Sequence, residues 1–131
     1  MSIIVGYLPT PEGHAALDRA LEEARLRASN VVIVNRSSSA AASEGEPAQD
    51  EKVAQVLADA SVAAEVIDPA DDEDPAESLI AAAEQHDGEL IVIGLRKRNP
   101  VGKLILGANA QRILLDAGCP VLAVKSPGPA A

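Results

Sequence analysis

Four of the chain's eleven basic residues, Arg96, Lys97, Arg98 and Lys103, fall between positions 96 and 103, in a protein whose formal net charge is −9. They belong to the run GLRKRNPVGKLILG, residues 94–107, which is followed by Ala108, Asn109 and a helical pattern. Cations gathered ahead of a helix start make an anion site, most naturally for phosphate. The first N–H groups of a helix have no partner within it, and they carry its positive end. Gly107 has no Cβ and lets the backbone approach a ligand closely. The helix end is worth about 0.3–1 kcal/mol and each charge-assisted hydrogen bond about 1.5–3 kcal/mol. The competing reading is a solvated loop whose cations offset acids elsewhere. The run is not a Walker A loop: Gly102-Lys103 is followed by Leu104, and Lys97 stands where that motif's first glycine belongs.

Other chemistry-bearing residues are scattered. His14, His86 and Cys119 have no metal-ligand spacing. Cys119 has no histidine near it in sequence and precedes a strand-like segment, so it reads as a small buried hydrophobe. His14, in the first turn of the first helix, either faces the ligand crevice or, the preferred reading, is a solvated helix residue, and His86 sits where the next-to-last helix ends and its dipole favours a cation. Residues 68–74, DPADDED, read as a solvated acidic loop. No nucleophile, general base or metal set stands near the cationic run, so the expectation is a protein with no catalytic residues and no dedicated enzymatic activity.

The elements that must position the cationic run alternate. Apolar, largely β-branched runs occur at 3–5, 31–34, 63–67, 90–93 and 121–124. Most are apolar at consecutive positions, as in parallel strands covered on both faces. Between them lie four helical stripes: Leu17, Ala20, Leu21, Ala24 and Ala28; Val53, Val56, Leu57 and Ala60; Ala76, Leu79, Ile80 and Ala83; Ala110, Ile113, Leu114 and Ala117. Thr10-Pro11 and Asp74-Pro75 read as N-cap and first helical residue, and Asn109 is the candidate cap of the last helix. The order βαβαβαβαβ predicts one three-layer α/β domain over 1–131, a five-stranded parallel sheet with helices on both faces. Ligands of such sheets lie beyond the carboxyl ends of the strands. That brings Tyr7, Leu8, Pro9 and Thr10, after the first strand, opposite the cationic run. Tyr7 either lines this crevice or closes the core. Residues 36–49 are expected to be a flexible loop and 126–131 a short disordered tail.

Composition narrows the partners. The chain has 131 residues, 47% of them hydrophobic, with one tyrosine and no phenylalanine or tryptophan. Without aromatic platforms and with a charge of −9, it is a poor match for nucleic acid or anionic membranes. A single cysteine forms no internal disulfide. Met1–Val5 lacks the basic n-region of a secretory signal, and no apolar run reaches the roughly 18 residues of a membrane span. The cytoplasm is the expected location.

The stretch LIVIGLRKRNPVGKLILGANAQRILLDAGCPVLAVK, residues 90–125, resembles the C-terminal signature of the universal stress protein family, and IIVGYLPTPEGHAAL resembles its first strand and helix. The resemblance implies an adenine nucleotide α-hydrolase-like fold of strand order 3-2-1-4-5, a stress-response role, and a homodimer formed through the edge strand, 120–125. It also implies ATP or AMP as a ligand of the branch that carries Gly-x2-Gly-x9-Gly-Ser/Thr and an Asp ending the first strand. Here Gly94 and Gly107 are kept, while Lys97, Ala108 and Leu8 replace the middle glycine, the hydroxyl residue and the Asp. Losing the hydroxyl costs about 0.5–1.5 kcal/mol, and an adenosine donor left unpaired costs about 1–3 kcal/mol. Together these weaken affinity by roughly one to three powers of ten. Lys97 either restores charge near the phosphates or fills the space a glycine leaves open. The alternative implied is a dimeric stress protein that binds no nucleotide and works through protein partners.

Overall fold

The apolar runs pair into a sheet because each has a helix to cover it. The computed structural model describes residues 1–8, 10–35, 51–58, 61–69, 74–95 and 107–125. Its strands are β1 (Ser2–Tyr7), β2 (Asn30–Asn35), β3 (Ala64–Ile67), β4 (Gly88–Leu95) and β5 (Val121–Lys125). Its helices are α1 (Pro11–Arg27), α2 (Glu51–Ala58), α3 (Pro75–Gln85) and α4 (Ala108–Asp116). All strand pairings are parallel, and the sheet order is β3-β2-β1-β4-β5. The strand order reverses between β1 and β4, which makes their carboxyl ends the switch point of the sheet.

Side-chain alternation splits the core into two layers. Ile3, Val5, Tyr7, Val31, Ile33 and Val92 face α1 and α2; Ile4, Val32, Val34, Ile91 and Ile93 face α3 and α4. Both faces being buried explains why the strands read as continuous apolar runs. Tyr7 is fully buried against α1, so it closes the core.

Local chemistry sets the helix starts. Thr10 is extended, and its Oγ1 accepts from Gly13 N at 3.1 Å, with Pro11 at the first helical position. Asp74 does the same for α3, accepting from Glu77 N at 3.2 Å, with Pro75 next. The expectation for α4 is corrected: its N-cap is Gly107, with no side-chain cap, and Asn109 is already helical. At the end of α1, Ala28 adopts a left-handed φ of 55°, ends the helix and is exposed, so it does not continue the buried stripe. Leu57 and Leu114, at the margins of their stripes, stay 47% and 41% exposed. The last turn of α1 is tied to the start of β4. Arg27 reaches Glu23 at 3.1 Å and Glu89 at 3.2 Å, and Ser29 Oγ donates to Glu89. Those bonds, the serine's first, hold the Glu89 carboxyl below its usual range.

Candidate functional site

The crevice at the carboxyl ends of β1 and β4 is built by close backbone approach. A Cβ on Gly13 would lie 1.8 Å from the Leu8 carbonyl oxygen, and one on Gly94 would lie 2.3 Å from the Glu12 carbonyl oxygen. Gly13 lets α1 begin directly over the turn after β1, in which Thr10 N donates to Leu8 O at 2.8 Å. Gly94 lets β4 run under the first turn of α1. Packing therefore already accounts for Gly94, whether or not a ligand approaches it. The floor of the crevice is a cavity of about 40 Å³ lined by Gly6, Leu8, Thr10, Glu12, Gly13, Ile93 and Gly94. That is room for water and not for a nucleotide.

Of the residues the sequence singles out, Tyr7, Leu8, Thr10 and Gly94 gather here. Tyr7 lies beneath the crevice as core, its ring stacked on His14 at 5.9 Å between centroids and 23° between planes. His14 is thus partly covered and leans on that ring, unlike the solvated helix residue expected. Gly107 and Ala108 are exposed and Asn109 is half-buried at the start of α4; a Cβ on Gly107 would meet nothing within 4 Å. With Gly107 as an N-cap that has no side-chain oxygen, the first N–H groups of α4 receive no bond from a capping side chain. Pro9, Arg96, Lys97, Arg98, Gly102 and Lys103 lie outside the described residues, as do residues 36–49 and 126–131.

Sequence reasoning missed what holds α4. Arg112 reaches Asp74 Oδ2 at 2.9 Å, Glu77 Oε1 at 2.9 Å and Asp116 Oδ2 at 3.6 Å. Exposed ion pairs of this kind are worth about 0–1 kcal/mol each. Their value is geometric, since Asp74 both caps α3 and binds Arg112, so the start of α3 is tied to the middle of α4. The spacing of Asp74 and Glu77 on one helical face was the available signal.

Cys119 is partly covered at the far end of β4 and β5, in a cavity of about 200 Å³ with Ile80, Glu84, Asp87 and Gly118. Burial pushes its thiol above the usual range, which suits a packing residue better than a nucleophile. Among the described residues, no group of three or more His, Cys, Asp or Glu is placed to hold a metal ion, and no helix is long and apolar enough to cross a membrane.

Residues 1–125 match the model of the universal stress protein family. A universal stress protein of Mycolicibacterium smegmatis is 42% identical over 129 residues, covering 96% of this chain and 98% of that protein. The chain belongs to the universal stress protein family. The structure of a universal stress protein from Archaeoglobus fulgidus superimposes with a TM-score of 0.69 at 27% identity, covering 95% of this chain and 98% of that one. A universal stress protein from the same organism, solved in complex with dAMP, shares the fold with a TM-score of 0.68 at 22% identity, again covering 95% and 98%. Family membership accounts for the sheet order and for the crevice lying between β1 and β4.

Proposed function

We propose that this universal stress protein is a stress-response binding protein whose crevice takes an adenine nucleotide, AMP or ATP, by its phosphates, without dedicated turnover. The observation that carries this reading is the start of α4. Gly107 supplies no capping side chain, the position is open to solvent, and the segment before it holds Arg96, Lys97, Arg98 and Lys103. Free helix N–H groups beside a concentration of cations are an anion site. The shared fold with a dAMP-bound relative supports a nucleotide as the anion. The phosphates would lie at the start of α4 and the nucleoside above the floor formed by Leu8, Thr10 and Gly94.

Equilibrium binding of labelled AMP and ATP tests it. A Kd tighter than millimolar is expected, with ATP recovered intact after long incubation; weaker binding of both overturns the reading. Ala108→Ser restores a hydroxyl at the helix start and is expected to tighten binding about two- to tenfold, as one added hydrogen bond of about 0.5–1.5 kcal/mol implies. An unchanged Kd would mean that phosphate does not reach this position.

The edge strand β5 supports a second part of the proposal, a homodimer. Val121, Leu122 and Val124 are only partly covered, Ala123 is exposed, and among the described residues no strand lies beside the outer backbone edge of β5. Such an edge tends to be paired. Sedimentation equilibrium is expected to give twice the 13.4 kDa chain mass, and a Val124→Lys variant is expected to sediment as the single chain. A wild-type mass of one chain at micromolar concentration would overturn the dimer.

A further inference from the structure

The carboxyl rim of the sheet carries a polar pair that the phosphate reading does not use. β2 is apolar from Val31 to Val34 and then ends in Asn35, a polar side chain only 8% exposed. Asn35 pairs in register with Tyr7 of β1, and Val34 pairs with Ile67 of β3, which brings Asp68 beside Asn35. Asn35 Nδ2 donates to Asp68 Oδ1 at 3.1 Å. Two positions beyond the paired Val5 and Val92 come Tyr7 and Gly94. Asp68, Asn35, Tyr7 and Gly94 therefore form one row across the rim, on the face covered by α1.

Burying an amide costs free energy unless its hydrogen bonds are met. Placing Asn35 here commits one of its donors to orienting a carboxylate at the carboxyl rim of the sheet. Asp68 itself is exposed, and Asn35 uses one of its roughly four lone-pair sites. Strands lie about 4.8 Å apart, so Asp68 stands about 10 Å across the rim from Leu8, and its bond to Asn35 draws the carboxylate back over β2. The Leu8 side chain, just beyond the end of β1, has no acceptor to offer a nucleoside. Asp68 is a carboxylate on the same rim, set on the far side of β1 from β4 and the segment that leads to α4.

We propose that Asp68, positioned by Asn35, reads the base of the bound nucleotide by accepting a hydrogen bond from an exocyclic amino group, so that the crevice selects a 6-aminopurine over a 6-oxopurine. The inference rests on the nucleotide reading above. Charge and geometry both favour it: an ionised carboxylate is acceptor-only, and it repels a carbonyl oxygen placed at the same point.

The test compares AMP with IMP, which differ at that group, on the wild-type chain, Asp68→Ala and Asn35→Ala, with displacement by inorganic pyrophosphate as the phosphate-only probe. The wild type is expected to prefer AMP by about tenfold or more, in the range of one charge-assisted hydrogen bond. Asp68→Ala, an exposed substitution, is expected to bind AMP and IMP alike while pyrophosphate displaces as before. Asn35→Ala is expected to lose part of the preference, and Asp68→Glu to recover part of it. An AMP preference that survives Asp68→Ala overturns this inference alone. A wild type that binds neither nucleotide overturns it together with the nucleotide reading.

Discussion

Gly13→Ala is expected to destabilise the protein by about 2 kcal/mol or more and to lower its urea midpoint by about 1 M or more. Two effects oppose each other. Alanine is the better helix former by about 1 kcal/mol. Against that, its methyl would lie 1.8 Å from the Leu8 carbonyl oxygen, a backbone atom that cannot rotate aside. Overpacking a tight site costs about 1–3 kcal/mol and occasionally more, and contact with backbone belongs at the upper end. The displacement would also undo the start of α1. Leu8 O accepts from Thr10 N, and Gly13 N is the group that Thr10 Oγ1 caps. Because the same turn walls the crevice, nucleotide affinity is expected to fall together with stability. A midpoint at or above the wild-type value would show that the turn after β1 is not held where the structure places it.

Tyr7→Ala is expected to lose about 3–5 kcal/mol, the range found for emptying the site of a large aromatic side chain. Tyr7 is fully buried, and it is among the largest fully buried side chains. The chain has no phenylalanine or tryptophan, and the residues around it are mostly valine, isoleucine, leucine and alanine, which leaves no large neighbour to swing into the space. The variant would also strip His14 of the ring it stacks on. Tyr7→Phe keeps the ring and removes only the hydroxyl, so its loss is expected to stay within about 1.5 kcal/mol. Urea unfolding of the two variants side by side measures both. Equal, small losses would mean that the ring does not fill the core between β1 and α1.

Much of this fold was legible because its determinants are local. Thr10-Pro11 and Asp74-Pro75 start helices through a side-chain oxygen and a ring that act within four residues, and both caps form as read. Consecutive apolar residues at 31–34 and 90–93 announced strands covered twice. The reading differed from the structure at helix ends and where distant segments meet. Asn109 has the side chain of a cap, yet the cap lies two residues earlier, at Gly107. Ala28 continues the apolar spacing of α1, yet the chain turns left-handed there. In the sequence Asp68 is one more acid in a charged run, and no motif singles out Asn35. The signal for the pair was a polar residue closing an otherwise apolar strand, which gains meaning only once β2 and β3 are known to be neighbours.

The sequence by itself determined the alternation of strands and helices, the family, and the concentration of cations ahead of α4. Each is a matter of side-chain type and short spacing along the chain. Only the tertiary structure decided that Gly13 and Gly94 are needed for close packing, that Tyr7 belongs to the core, and that Asn35 holds Asp68 on the carboxyl rim of the sheet. Those facts depend on contacts between segments far apart in sequence. Parallel strands are joined through helices, so residues that share a rim are separated by one or more crossovers, and no local pattern records which of them will meet.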